Sequence, residues 1–157
     1  MIIVIDNREQ LPLDFRRSKV VEDVRYVTLK TGDYSILGYE DKIAFERKNP
    51  NDLFSSLGVG HKRFKKELER ALEMDYFAII VERSYTEILN KDFEGSHFTK
   101  MRGDVVIKIL NTLKFKYGID VIFCNGRKEA ASRIRGMLAA YVKHNNNIEK
   151  EKRLGSS

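Results

Sequence analysis

The sequence predicts an α/β fold in which a central mixed β-sheet carries helices on both faces. Three observations lead there. The first third is rich in strand-like segments. The remainder alternates helix, strand, helix, strand, helix. Residues 76–81 and 121–123 are short continuous apolar runs, as expected of parallel strands buried on both faces. At 157 residues the chain suits one domain with a full core, and 42% hydrophobic with 33% charged residues is an ordinary globular balance.

The elements follow in order. Residues 2–6 read as a central strand that delivers Asp6 at its carboxyl end, and residues 7–19, with Pro12 and mixed charge, read as a loop. Residues 24–29 alternate polar and apolar side chains of β-favouring types, so a second strand is expected. Thr31-Gly32-Asp33 is turn chemistry. Residues 34–37 and 42–46 form a hairpin around Gly38-Tyr39-Glu40-Asp41. Asn49 or Asn51 can cap a short helix beginning near Pro50. Gly58 and Gly60 separate it from a longer helix over 61–74, where Phe64, Leu68, Ala71 and Leu72 form the apolar stripe and Lys62, Arg63, Lys65, Lys66 and Arg70 the exposed remainder.

A strand over 76–81, one or two helical turns over 84–90 and a loop at Gly95-Ser96-His97 come next. Residues 100–117 carry Val105, Ile109 and Leu113 on one stripe of a helix that Gly118 closes. A strand over 120–124 and a turn at Asn125-Gly126 lead into a last amphipathic helix over 128–144, with Ala130, Ile134, Met137 or Leu138, and Tyr141 on its apolar line. These elements define one domain over 1–144. Residues 145–157 read as a polar, flexible tail whose closing Gly155-Ser156-Ser157 has the look of an appended tag remnant.

Composition excludes several classes. No apolar run approaches the roughly 20 residues that span a bilayer, and no basic segment precedes an apolar one at the start, so the cytoplasm is the expected location. One cysteine, Cys124, and three scattered histidines, His61, His97 and His144, give no zinc-site spacing. Cys124 ends an apolar run and reads as a buried structural thiol. Any metal must then be held by oxygen, which points to Mg²⁺ or Mn²⁺. The formal charge of +6 is unevenly spread. Residues 1–53 carry 9 Lys/Arg against 10 Asp/Glu, and residues 54–157 carry 20 against 13. Acidic groups that could hold a cation sit in the near-neutral first third; the positive field that would draw a polyanion comes from the rest.

The chemistry concentrates between Gly32 and Asp52. Phosphodiester hydrolysis needs an activated water, charge relief at the phosphate and a protonated leaving oxygen; a hard cation on carboxylates supplies the first two. Asp33 follows a glycine that lets the chain turn. Glu46 and Lys48, two apart on a strand, share a face, and an amine there can orient water and offset developing charge. Arg47 points the other way, although its backbone carbonyl could still ligate metal. Asp6 and Glu9 could add acidic groups. Arg8 could hold a phosphate by bidentate hydrogen bonds. Asp52 either joins the acidic cluster or caps the helix, and Lys62, Arg63 and Lys66 are candidate DNA phosphate contacts. Each feature also has a plain structural reading, a turn aspartate, a surface pair or a solvated helix face, and Tyr34 and Phe45 read as core.

The combination Asp6-x-Arg8-Glu9, Gly32-Asp33-Tyr34, Glu46-Arg47-Lys48-x-x-x-Asp52-Leu53, Ser56 and Arg63 resembles the nuclease domain of the XPF family of structure-specific endonucleases, over about residues 1–140. The resemblance implies a restriction-endonuclease-like core, dependence on Mg²⁺ or Mn²⁺, and cleavage of branched or flap DNA near a duplex–single-strand junction. It places catalysis or metal binding on Asp6, Asp33, Glu46, Lys48 and Asp52, with support from Arg8, Glu9, Arg47 and Arg63. It also implies a homodimer or heterodimer, for which the strand and helix over 120–144 are the candidate interface; simple packing of that helix on its own sheet is the alternative. Family members usually continue into a tandem helix-hairpin-helix module. None follows here and no helicase segment precedes, so an excised domain or a compact stand-alone nuclease of microbial or phage type is expected. A catalytically silent DNA-binding subunit and a Holliday-junction-resolvase-like nuclease are the competing readings.

Overall fold

The computed structural model describes residues 1–15 and 18–155. Arg16 and Arg17 of the 7–19 loop, and Ser156 and Ser157 of the closing remnant, lie outside the described residues. Six strands form one sheet: β1 (Ile2–Asp6), β2 (Asp23–Val27), β3 (Tyr34–Ile36), β4 (Ile43–Lys48), β5 (Tyr76–Val81) and β6 (Asp120–Phe123). Their order across the sheet is β2-β1-β3-β4-β5-β6. β3 is antiparallel to β1 and β4, while β1–β2, β4–β5 and β5–β6 are parallel, so the sheet is mixed as expected.

The helices are α1 (Pro50–Leu57), α2 (His61–Ala71), α3 (Tyr85–Leu89), α4 (Gly103–Tyr117) and α5 (Arg127–Gly155), with a 3-10 turn at Ser96–Phe98. Strand alternation sorts the core into two layers. On one face Ile3, Ile5, Phe45, Ala78, Ile80 and Ile122 pack against α5 through Ala130, Ala131, Ile134 and Leu138. On the other, Ala44, Phe77, Ile79 and Val81 pack against α1, α2, α3 and α4 through residues such as Leu53, Phe64, Ile88 and Leu110. Buried Cys124 belongs to the α5 layer, where burial pushes its thiol pKa up.

Four differences from the sequence reading have physical causes. β2 ends at Val27, because the Asp6 carboxylate captures the Leu29 amide at 3.0 Å and draws the chain out of the ladder. β4 runs on to Lys48, since its pairing with β5 continues through Lys48 opposite Val81. α4 starts at Gly103, three residues late. There the backbone passes so close to α3 that a Cβ on Gly103 would lie 2.0 Å from the Leu89 carbonyl oxygen. The helix expected to stop at His144 instead continues to Gly155, so the described part of the polar tail is helical. Lys, Arg, Glu and Asn are adequate helix formers on an exposed extension of an already nucleated helix.

Candidate active site

The carboxyl end of β4 builds the site. Because Ala44 faces the α1–α4 layer, Glu46 and Lys48 must face it too, while Phe45 and Arg47 face α5. Lys48 Nζ lies 3.4 Å from Glu46 Oε1 and 5.5 Å from the centre of the Phe64 ring on α2, so the amine sits between a carboxylate and an aromatic face.

Asp33 is fixed from three sides. Its amide donates to Phe45 O at 2.8 Å, its carbonyl accepts from the Asp6 amide at 2.8 Å, and its carboxylate accepts from the Arg47 amide at 2.8 Å. Gly32 makes this approach possible: it has φ +81°, and a Cβ there would lie 2.8 Å from Ala44 Cβ. It is thus the Arg47 amide, donating to Asp33, that engages the cleft; the arginine side chain turns away. Asp6, 4% exposed, accepts from Leu29 N at 3.0 Å and from Arg8 through Nε at 2.9 Å and Nη2 at 3.2 Å. These bonds hold the β2 exit and aim the exposed Arg8, and Asp6 lines the same cleft as Asp33 and Glu46.

Asp6, Arg8, Glu9, Asp33, Glu46, Arg63, Lys66, Glu67 and Arg70 line one cleft of about 360 Å³. A second lobe of about 280 Å³, lined by Lys48, Ser55, Ser56 and Gly60, shares Glu46, Arg63 and Glu67 with it. A larger hollow, about 500 Å³ between residues 12–15 and β2, includes none of Asp33, Glu46 or Lys48; chemistry and not size marks the site.

Burial is the leading influence on both central carboxyls. It pushes Glu46 up to about 8, with Asp33 adding repulsion and Lys48 opposing. It pushes Asp33 up to about 7, opposed by the Arg47 amide. Two carboxyls this reluctant to ionise side by side form a site that a cation would relieve. Among the described residues no three acidic, histidine or cysteine side chains converge into a metal cage. One or two carboxylates with the remaining positions left to water is the usual way Mg²⁺ is held, so the donor set fits a hard divalent cation.

Behind the site, Arg47 binds Glu82 and, at 3.3 Å, Glu9, and donates to the Leu11 carbonyl at 2.8 Å. The Tyr34 hydroxyl donates to Glu9 at 2.5 Å, and burial with that partner holds its phenol pKa well above the ordinary value. Arg47 and Glu9 are therefore a support beneath the cleft, although Glu9 also reaches its wall.

Two expected residues stand apart. Asp52 makes a reciprocal cap with Asn49: its amide donates to Asn49 Oδ1 and its carboxylate accepts from Asn49 Nδ2, both at 2.8 Å. It is exposed and lines neither lobe, so the helix-cap alternative describes it and the acidic-cluster alternative does not. Lys62 is exposed and also outside the cleft lining, because it lies off the α2 face that carries Arg63, Lys66, Glu67 and Arg70. The sequence reading missed Glu67 and Arg70 as cleft residues, although their spacing of four and seven from Arg63 marks one helical face. Glu82 was missed as well; nothing local in the sequence ties it to Arg47.

Residues 5–137 match the ERCC4 domain, and the chain belongs to that family. Its fold is shared with solved structures of XPF from Aeropyrum pernix. A chain in complex with DNA has 25% identity and a TM-score of 0.68 over 90% of this chain and 65% of that one. A second has 23% identity and a TM-score of 0.67 over 96% of this chain and 69% of that one. The present chain thus spans about two thirds of the length of those relatives. No curated protein matches it. The mixed sheet with helices on both faces is the restriction-endonuclease-like architecture expected from the motif. Among the described residues no helix is long and apolar enough to cross a membrane.

Proposed function

We propose that this chain is a metal-dependent DNA endonuclease that hydrolyses phosphodiester bonds in branched or flap DNA near duplex–single-strand junctions. The observation that carries this reading is the pairing of two partly buried carboxyls, Asp33 and Glu46, with Lys48 at 3.4 Å from Glu46, in a cleft walled by Arg8, Arg63, Lys66 and Arg70. Membership of the ERCC4 domain family and likeness to an XPF chain solved with DNA support it.

Asp33 and Glu46 would hold Mg²⁺ or Mn²⁺, with the Arg47 carbonyl as a further ligand. That cation would supply charge relief at the phosphate and a more acidic water. The chain's own residues do the rest. Lys48, braced by Phe64, keeps an ammonium beside Glu46, where it orients water and offsets charge gathering on the phosphate oxygens. Asp6 aims Arg8 through two hydrogen bonds, so that Arg8 can engage a phosphate. Arg63, Lys66 and Arg70 present one helical face to the backbone of the strand. A dimer through residues 120–144 would have to use the faces of α5 that its own sheet leaves open, since Ala130, Ala131, Ile134 and Leu138 are already buried against that sheet.

The test is cleavage of labelled flap, splayed-arm, four-way and linear duplexes with Mg²⁺, Mn²⁺ or chelator, beside Glu46→Ala. Cutting of a branched substrate that needs the cation and is lost in Glu46→Ala is expected. Binding without any cutting would instead favour a silent DNA-binding subunit, and preferential four-way cutting a resolvase-like enzyme.

A further inference from the structure

Residues 90–102 hold an aromatic pair that the site described above does not use. Phe98 is 84% exposed, yet its ring lies 4.1 Å from that of His97, centroid to centroid, with the planes tilted by 37°. The turn that carries them is firmly built. Gly95, in the left-handed region at φ +83°, sits against Asn51 of α1, and Asn51 Nδ2 donates to the Glu94 carbonyl at 2.9 Å. The Phe98 amide closes the 3-10 turn on Gly95 O at 3.0 Å, and Lys91 Nζ donates to Thr99 O at 2.8 Å. Phe93 just upstream packs on Phe54 of α1 with centroids 5.2 Å apart. A large apolar ring is thus held out into water on a pinned support, so little ordering cost remains for whatever covers it.

Its position identifies the occupant. Asn51, which holds the turn, and Ser55, which lines the catalytic lobe beside Lys48, lie one helical turn apart on the same side of α1. α1 itself starts where β4 delivers Glu46 and Lys48. A nucleic-acid strand leaving that lobe across the Ser55–Asn51 side of α1 meets the aromatic pair next. Lys91 is tied to Thr99 and Arg102 is paired with Asp104 at 2.9 Å, so exposed Lys100, two residues after Phe98, is the cation this segment offers a polyanion. Exposed aromatic faces beside cations are how proteins hold unpaired bases without reading their identity.

Resting on the nuclease reading above, we propose that His97 and Phe98 form a stacking platform for an unpaired base of the single-stranded arm, a subsite separate from the catalytic cleft. It would favour substrates with a free single strand over continuous duplex.

The experiment uses the full chain in chelator, so that nothing is cut, with a splayed-arm DNA carrying 2-aminopurine at successive positions of one single-stranded arm and then of the other. Wild type should quench the probe at one or two positions. Phe98→Ala should restore the fluorescence there and weaken arm binding about 5- to 150-fold, while Phe98→Tyr keeps both. Binding to plain duplex should not change in either variant, nor should the melting temperature, as the ring is almost wholly in water. Tight wild-type binding with no quenched position, or quenching that survives Phe98→Ala, would overturn the platform and leave the nuclease reading standing. Failure of the wild type to bind any of these DNAs would overturn both.

Discussion

The proton-retaining carboxyls make the stability of the metal-free protein depend on pH, and Glu46→Gln isolates the cause. An ordinary glutamate carboxyl titrates at 4.5, and burial beside Asp33 raises that of Glu46 to about 8. A carboxyl raised on folding favours the folded state fully below its unfolded value. That contribution is lost as pH climbs through the folded value. The difference is roughly 3–5 kcal/mol, at about 1.4 kcal/mol per tenfold change in proton affinity and with part of the effect shared with Asp33. Small domains are stable by only about 5–15 kcal/mol in total, so a loss of this size is readily measured. Denaturant titrations in chelator should therefore show wild-type stability falling between pH 5 and pH 9. Glu46→Gln should remove about half of the fall, leaving the part from Asp33, which is lost between its ordinary 3.8 and about 7. Saturating Mg²⁺ should flatten the wild-type profile by favouring the ionised pair. A flat wild-type profile in chelator, or equal slopes in wild type and Glu46→Gln, would show that folding does not raise the Glu46 carboxyl.

Three further outcomes are expected. Arg47→Met leaves Glu9 and Glu82, each about one-eighth exposed, without their shared partner; it should cost about 3 kcal/mol in denaturant unfolding, Arg47→Lys should recover only part of that, and a loss below 1 kcal/mol would count against the support network. Gly103→Ala gains up to about 1 kcal/mol of helix propensity but drives a methyl to 2.0 Å from a backbone oxygen that cannot swing aside, so a net loss of about 3 kcal/mol or failure to express is expected. Neutralising Arg63, Lys66 or Arg70 should each lower the slope of log binding constant against log salt by about 1 and weaken all DNAs alike, whereas an unchanged slope would take that residue off the DNA path.

What the sequence disclosed was what repeats or alternates locally. Strand alternation alone placed Glu46 and Lys48 on one face and Arg47 on the other, and the structure has them so. The turn at Gly32 was legible because a glycine before Asp33 is local chemistry, although its cause, the close approach to Ala44, is not. Asp6 was found as an acid at a strand end. Its hold on Arg8 is two residues away, but its hold on Leu29 depends on a closure over 23 residues that no local pattern shows. The same limit hid the Arg47–Glu82 pair, formed between β4 and the residue just past the end of β5, 35 residues apart in sequence. Asp52 shows the reverse case: its spacing suited both a metal cluster and a cap, and only the placement of Asn49 decides between them. The helix runs on beyond His144 to Gly155 because an anchored amphipathic helix has already met the cost of nucleation, which polar composition alone does not reveal.

Whether Lys48, beside Asp33 and Glu46, drives cleavage is decided by single-turnover cutting of one splayed-arm DNA in Mn²⁺ by wild type and Lys48→Ala, with binding of both measured in chelator. Lys48→Ala should lower the cleavage rate at least about 100-fold and preserve affinity within a few-fold. Cleavage by Lys48→Ala at the wild-type rate would contradict that role.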